Sequence, residues 1–170
     1  MNTWNVFARL MLWLSMLFAA ACWAEDDLTW IADKNGCKVA NPFPQPDETI
    51  TWTGKCKNSF ADGEGVLEWS VNGKLADRYE GSMKLGWAEG KGTLIRSEGS
   101  RYTGDWKRSM QEGNGQLDAP DGSTYTGQWK AGKPHGAGRY KTPDGRVITG
   151  EWLDGEFQGD EEFEENLNRT

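Results

Sequence analysis

Apolar and polar residues alternate along this chain in short runs, and the runs recur every 23 residues. Tyr102, Gly104 and Trp106 alternate with Thr103 and Asp105, and Gly113, Gly115 and Leu117 alternate with Asn114 and Gln116. Period two predicts strands with one selected face. Lys107 to Glu112 is expected to bridge the two strands, and Asp121-Gly122 to turn the chain into the next unit. The same places are filled by Tyr79, Tyr102, Tyr125 and Ile148, then two residues on by Gly81, Gly104, Gly127 and Gly150, then by Met83, Trp106, Trp129 and Trp152. Gly90 and Gly92, Gly113 and Gly115, and Gly136 and Gly138 begin eleven residues after each anchor, and Gly159 opens a truncated further unit. A fixed period in this range marks a repeat architecture. The predicted fold is all-β: an elongated single-layer antiparallel meander of tandem β-hairpins.

Glycine weakens a strand unless packing requires it. Here the glycines share a face with the aromatics, so each is expected to leave room for a Trp or Tyr ring lying over the backbone. A single hairpin is marginal in water, whereas stacked hairpins bury a shared face. A degenerate unit precedes the regular ones: Trp52, Gly54 and Cys56 hold the anchor, glycine and tryptophan places, followed by Gly63, Gly65 and Leu67, with Asn72-Gly73 as a turn. The organisation read from this is a leader over 1–24, an N-terminal cap with a Pro-rich connector over 25–49, and a hairpin array over 50–159. The array divides into 50–77 (degenerate), 78–100, 101–123, 124–146 and 147–159 (partial), and an acidic tail over 160–170 follows.

The first residues carry one charge, Arg9, then an apolar run from Leu10 to Ala21 that Glu25-Asp26-Asp27 ends. Twelve residues are too few for a membrane span, and the pattern is that of a cleaved export signal. Two processing routes stay open: simple cleavage near Ala24, or lipidation of Cys22, since Ala19-Ala20-Ala21-Cys22 resembles a bacterial lipoprotein box. Either route leaves Cys37 and Cys56, an even pair that reads as a disulfide in an exported chain. The expected location is periplasmic or secreted, with membrane attachment only through Cys22.

Charge changes the picture mainly by exclusion. The net charge is −7, but residues 78–159 sum to +1, so the acidity sits at the two ends. No basic stripe marks a nucleic-acid partner, and anionic lipid would largely repel such a chain. The run Asp160-Glu161-Glu162 with Glu164-Glu165 is expected to blunt an exposed last strand edge. No nucleophile–base pairing is legible, and Asp118, Asp121, Asp144, Glu151 and Asp154 read as surface carboxylates. His135 is the single histidine and no close Cys-x-x-Cys occurs, so neither a metal nor a cofactor is expected.

The pattern Tyr-x-Gly-x-Trp, Gly-x-Gly, Asp-Gly at period 23 resembles the MORN repeat family over Tyr79 to Gly159, and more loosely over Ile50 to Gly73. The resemblance implies β-hairpin arrays engaged in protein association, sometimes self-association. Two functions follow as expectations for this non-enzymatic reading. One is a protein-interaction scaffold; the other is a cell-wall glycan-binding module that stacks sugars on periodic aromatics. Trp69 and Trp87 fall outside the shared tryptophan register and are the candidate contact residues.

Overall fold

The computed structural model describes residues 29–159; the expected leader, Cys22 and the acidic tail lie outside them. The described chain is one open sheet of thirteen strands. A short cap hairpin comes first, β1 (Trp30–Ala32) and β2 (Lys38–Ala40). The degenerate unit follows as β3 (Glu48–Trp52), β4 (Lys55–Lys57) and β5 (Phe60–Val71). The regular hairpins are β6 (Lys74–Lys84) with β7 (Trp87–Arg96), β8 (Arg101–Lys107) with β9 (Met110–Asp118), and β10 (Thr124–Lys130) with β11 (Lys133–Lys141). The partial unit is β12 (Val147–Leu153) with β13 (Glu156–Phe157). From β5 onward every strand lies beside its neighbours in sequence, as the meander requires. One departure from a purely antiparallel sheet occurs at the cap, where Lys38 and Phe60 form a parallel bridge.

The expected ring-over-glycine packing is realised. A Cβ on Gly92, Gly115 or Gly138 would fall within the ring of Tyr79, Tyr102 or Tyr125 respectively. The partner glycines face them across each hairpin: a Cβ on Gly104 would come within 2.6 Å of the Gly115 Cα, and one on Gly127 within 2.5 Å of the Gly138 Cα. Registers place Gly65, Gly81, Gly92, Gly104, Gly115, Gly127, Gly138 and Gly150 opposite one another in one row across eight strands. The degenerate unit uses Trp52 over Gly65 in place of a tyrosine, and the partial unit uses Phe157 over Gly150.

The bridge expected over Lys107 to Glu112 is much shorter than that. Lys107 pairs with Met110, leaving Arg108-Ser109 as a two-residue turn with φ of 48° and 60°. Two consecutive left-handed residues give the turn whose twist matches the strands it joins. The remaining length is taken up at the first glycine of each Gly-x-Gly pair. Gly90, Gly113 and Gly136 have φ of 85°, 65° and 66°, and the ladder shifts register beside them. These three glycines are bulges, not ring seats, so the pair combines two separate demands.

Replacing Gly115 by Ala puts a methyl group into the Tyr102 ring. It is expected to cost about 3 kcal/mol or more, at the upper end of overpacking penalties. Gly122→Ala meets nothing within 4 Å and strains only a φ of +87°, so about 1 kcal/mol is expected. Chemical denaturation of the two variants checks the order.

Candidate interaction surface

Seating each tyrosine on glycine brings the tryptophan of the following unit against it. Tyr79–Trp106, Trp106–Tyr102, Tyr102–Trp129, Trp129–Tyr125 and Tyr125–Trp152 meet edge to face with centroids 5.0–5.3 Å apart. This is a favoured aromatic geometry, and it runs unbroken from β6 to β12. All these rings are buried. The polar atoms of these rings are used within the sheet as well, except the buried Trp152 indole N–H, which has no partner among the described residues. The Tyr79, Tyr102 and Tyr125 hydroxyls donate to the carbonyls of Ser82, Asp105 and Gln128 at 2.9–3.0 Å. The indoles of Trp106 and Trp129 donate to the Gly92 and Gly115 carbonyls at 3.1 and 3.2 Å. Burial holds all four tyrosine hydroxyls above their ordinary pKa, Tyr125 at about 12.

Along one long edge the two-residue turns are laced together. Gly86, Ser109, Gly132 and Gly155 donate N–H groups to the carbonyls of Ala61, Ala88, Gln111 and Pro134 in the preceding unit, at 2.9–3.0 Å. Asp62, Glu89 and Glu112 accept from the turn amides of Leu85, Arg108 and Ala131. The next place in that column is His135, whose Nδ1 lies 3.7 Å from an Asp154 carboxylate oxygen. On the opposite edge Asp121 accepts from Ser123, and Asp144 accepts from Thr142 and Arg146. The Thr142 hydroxyl, with Arg146, holds the Asp144 carboxyl below its usual range. These carboxylates act as staples of turns. Among the described residues no three His, Cys, Asp or Glu side chains gather as metal ligands would.

The cap crosses the laced edge at its first two turns. Lys38 donates its N–H to the Ser59 carbonyl and Ala40 donates to the Gly86 carbonyl, both at 2.9 Å. Cys37 and Cys56 form the expected disulfide, with Cα atoms 5.5 Å apart, and tie β2 to β4. Trp30 of the cap lies over Gly86 and packs edge-on against Phe60 and Trp87, at 4.8 and 5.8 Å. Trp30 remains 37% exposed and Leu85, at the turn beside it, 47%. Trp30, Phe60, Leu85 and Trp87 thus form an accessible apolar patch where the cap meets the array.

The two tryptophans singled out by register are not brought together. Trp87 begins β7 at the turn edge and belongs to the patch. Trp69 lies far along β5, opposite Ile50 and Asp77, and packs against the buried core. Trp30 had no periodic signal, because it lies outside the repeats. Leu85 was open to discovery: the equivalent turn places hold Asn58, Arg108, Ala131 and Asp154, so a large apolar residue there stands out.

Eight registered glycines, rings seated upon them and bulged two-residue hairpins define a tandem-hairpin repeat protein whose organised surface is extended. Residues 79–101, 102–124 and 125–145 match the MORN repeat family model. The chain therefore carries three consecutive MORN repeats over residues 79–145. No curated protein matches it. MORN repeats are generally modules for interaction with proteins or membranes and are generally non-catalytic.

Alkaline pH should unfold the array through its tyrosines. Neutral tyrosine is favoured in the fold, so this stability is fully present below the ordinary pKa of about 10 and is lost as pH rises towards the raised folded values. Each tyrosine contributes up to about 1.4 kcal/mol per pH unit in that window. A spectrophotometric titration should show tyrosinate appearing together with loss of structure, with no group ionising independently near the ordinary value.

Proposed function

We propose that this chain is an exported protein-association module in which the hairpin array is the rigid frame and the cap junction is the contact surface. One observation carries the choice. The periodic Tyr and Trp rings are consumed by packing on glycine and on one another, while Trp30 and Leu85 stay accessible beside Phe60 and Trp87. A sugar needs open ring faces, and the ladder offers none between Tyr79 and Trp152. Accessible aromatic and aliphatic side chains held by a rigid, disulfide-tied scaffold suit a protein partner. The disulfide favours an oxidising location, periplasmic or secreted. The leader would then be removed by cleavage or the chain anchored through a lipidated Cys22.

In-cell crosslinking from a photoreactive residue in place of Leu85, followed by mass spectrometry, should yield one discrete protein adduct or a self-adduct. The same probe at exposed Thr126 on the polar face should yield none. Muropeptide adducts alone at position 85 would pass the assignment to the glycan-binding reading. Trp87→Ala should weaken capture while lowering the melting temperature less than Trp129→Ala, because Trp87 is half-buried and Trp129 is fully enclosed in the ladder.

A further inference from the structure

The cap shows how the laced edge takes up a chain from outside the repeats. The tips of that edge are the turns Asn58-Ser59, Leu85-Gly86, Arg108-Ser109 and Ala131-Gly132, closed by the pairs Lys57–Phe60, Lys84–Trp87, Lys107–Met110 and Lys130–Lys133. All of these turn residues have positive φ, so the carbonyls of Ser59, Gly86, Ser109 and Gly132 project from equivalent backbone. β2 crosses the first two tips as an extended segment. The Lys38 N–H donates to the Ser59 carbonyl and the Ala40 N–H to the Gly86 carbonyl, both at 2.9 Å. Amides two residues apart in the cap thus match carbonyls one unit apart in the array. The next amide in line would belong to Pro42, which has no N–H to give Ser109. The cap's line over the edge ends there, but the backbone it follows continues through the third and fourth tips.

Charge says what suits that continuation. Lys107, Arg108 and Lys130 are exposed at these two tips, and Lys133 is half-buried beside them. No basic stripe is legible along the chain because Lys107 and Lys130 lie 23 residues apart; folding makes them neighbours. Directly behind the tips, the Glu89 and Glu112 carboxylates accept from the turn amides of Arg108 and Ala131 at 3.0 and 3.1 Å. The positive charge is therefore a narrow line. A flat anionic surface would meet the carboxylates together with the cations, whereas a single extended chain follows the tips alone.

We propose that the third and fourth tips are a docking line for an acidic, extended segment of a protein partner. That segment gives alternate N–H groups to the Ser109 and Gly132 carbonyls, as the cap does to Ser59 and Gly86, and sets carboxylates against Lys107, Arg108 and Lys130. Main-chain hydrogen bonds hold it, and the cations select it. The inference rests on the association role proposed above and deepens it: the line starts beside Leu85 and extends the contact surface away from the cap.

A synthetic peptide alternating Glu and Val, titrated into the isotope-labelled protein and followed by NMR, tests this. Amide shifts should concentrate at residues 107–110 and 130–133, and spare the Asp121-Gly122 and Asp144-Gly145 turns of the opposite edge. In the cap the donor amides flank the buried Val39, so methylating the Glu nitrogens of the peptide should weaken binding about tenfold or more, and methylating the Val nitrogens much less. Lys107→Glu with Lys130→Glu should weaken binding about tenfold; Lys74→Glu with Lys141→Glu, on the opposite edge, should leave it unchanged. No saturable binding below about 1 mM, equal losses from the two methylations, or tighter binding of phosphatidylglycerol vesicles than of the peptide at these tips overturns the proposal. The Leu85 crosslink separates it from the role it rests on. A protein adduct at position 85 that survives Lys107→Glu with Lys130→Glu, without peptide binding, removes the docking line and keeps the cap patch. Peptide binding at the tips with no protein adduct at position 85 does the reverse.

Discussion

Everything in this fold depends on a tyrosine ring lying on a glycine of the neighbouring strand. A single-layer sheet has no second layer to cover its apolar face, so the face must bury itself. Removing the Cβ from Gly92, Gly115 and Gly138 lets the rings drop onto backbone, and that lowers each ring into reach of the next tryptophan. The bulge at Gly90, Gly113 or Gly136 shifts the ladder beside Ser82, Asp105 and Gln128, whose carbonyls the tyrosine hydroxyls take up. Ring burial, bulge and hydrogen bond are thus one device used repeatedly. Its cost is strand propensity, recovered only by stacking on neighbours.

The same device decides what is left over for function. Rings that hold the sheet together are unavailable to ligands. Among the described residues the regular repeat is broken in two places. At the N-terminal end, a cap tied by Cys37–Cys56 carries Trp30 across Gly86 and leaves an apolar patch with Leu85. At the C-terminal end, Ile148 replaces the tyrosine, Gln158 substitutes for its hydroxyl, and Phe157 covers the glycine. Repeat arrays need distinct ends because each end exposes a face that inner units bury. Here the cap adds chain before the array, and the last described unit differs by substitution within the unit.

Much of the unit was legible because its physics is local and periodic. Two-residue alternation, the Asp-Gly turns and the recurrence of Tyr, Gly and Trp name the strands and the buried face without any knowledge of long-range contacts. The bulge was not legible. Gly113 and Gly115 look alike in sequence, but Gly113 is held at positive φ and Gly115 lies beneath a ring. Only the paired strand distinguishes them. The two-residue turn was hidden for the same reason: Arg108 and Ser109 are poor markers of left-handed backbone, and their conformation is imposed by Lys107 pairing with Met110.

By itself, then, the sequence determined the repeat, the all-β class, the ring-and-glycine face and the disulfide partners, because each follows from spacing along the chain or from pairing two cysteines. Tertiary structure decided where the cap lies and which of the off-register tryptophans is accessible. Those outcomes depend on contacts between residues far apart in sequence, such as Trp30 with Trp87 and Lys38 with Phe60. No periodicity encodes them, since each occurs once.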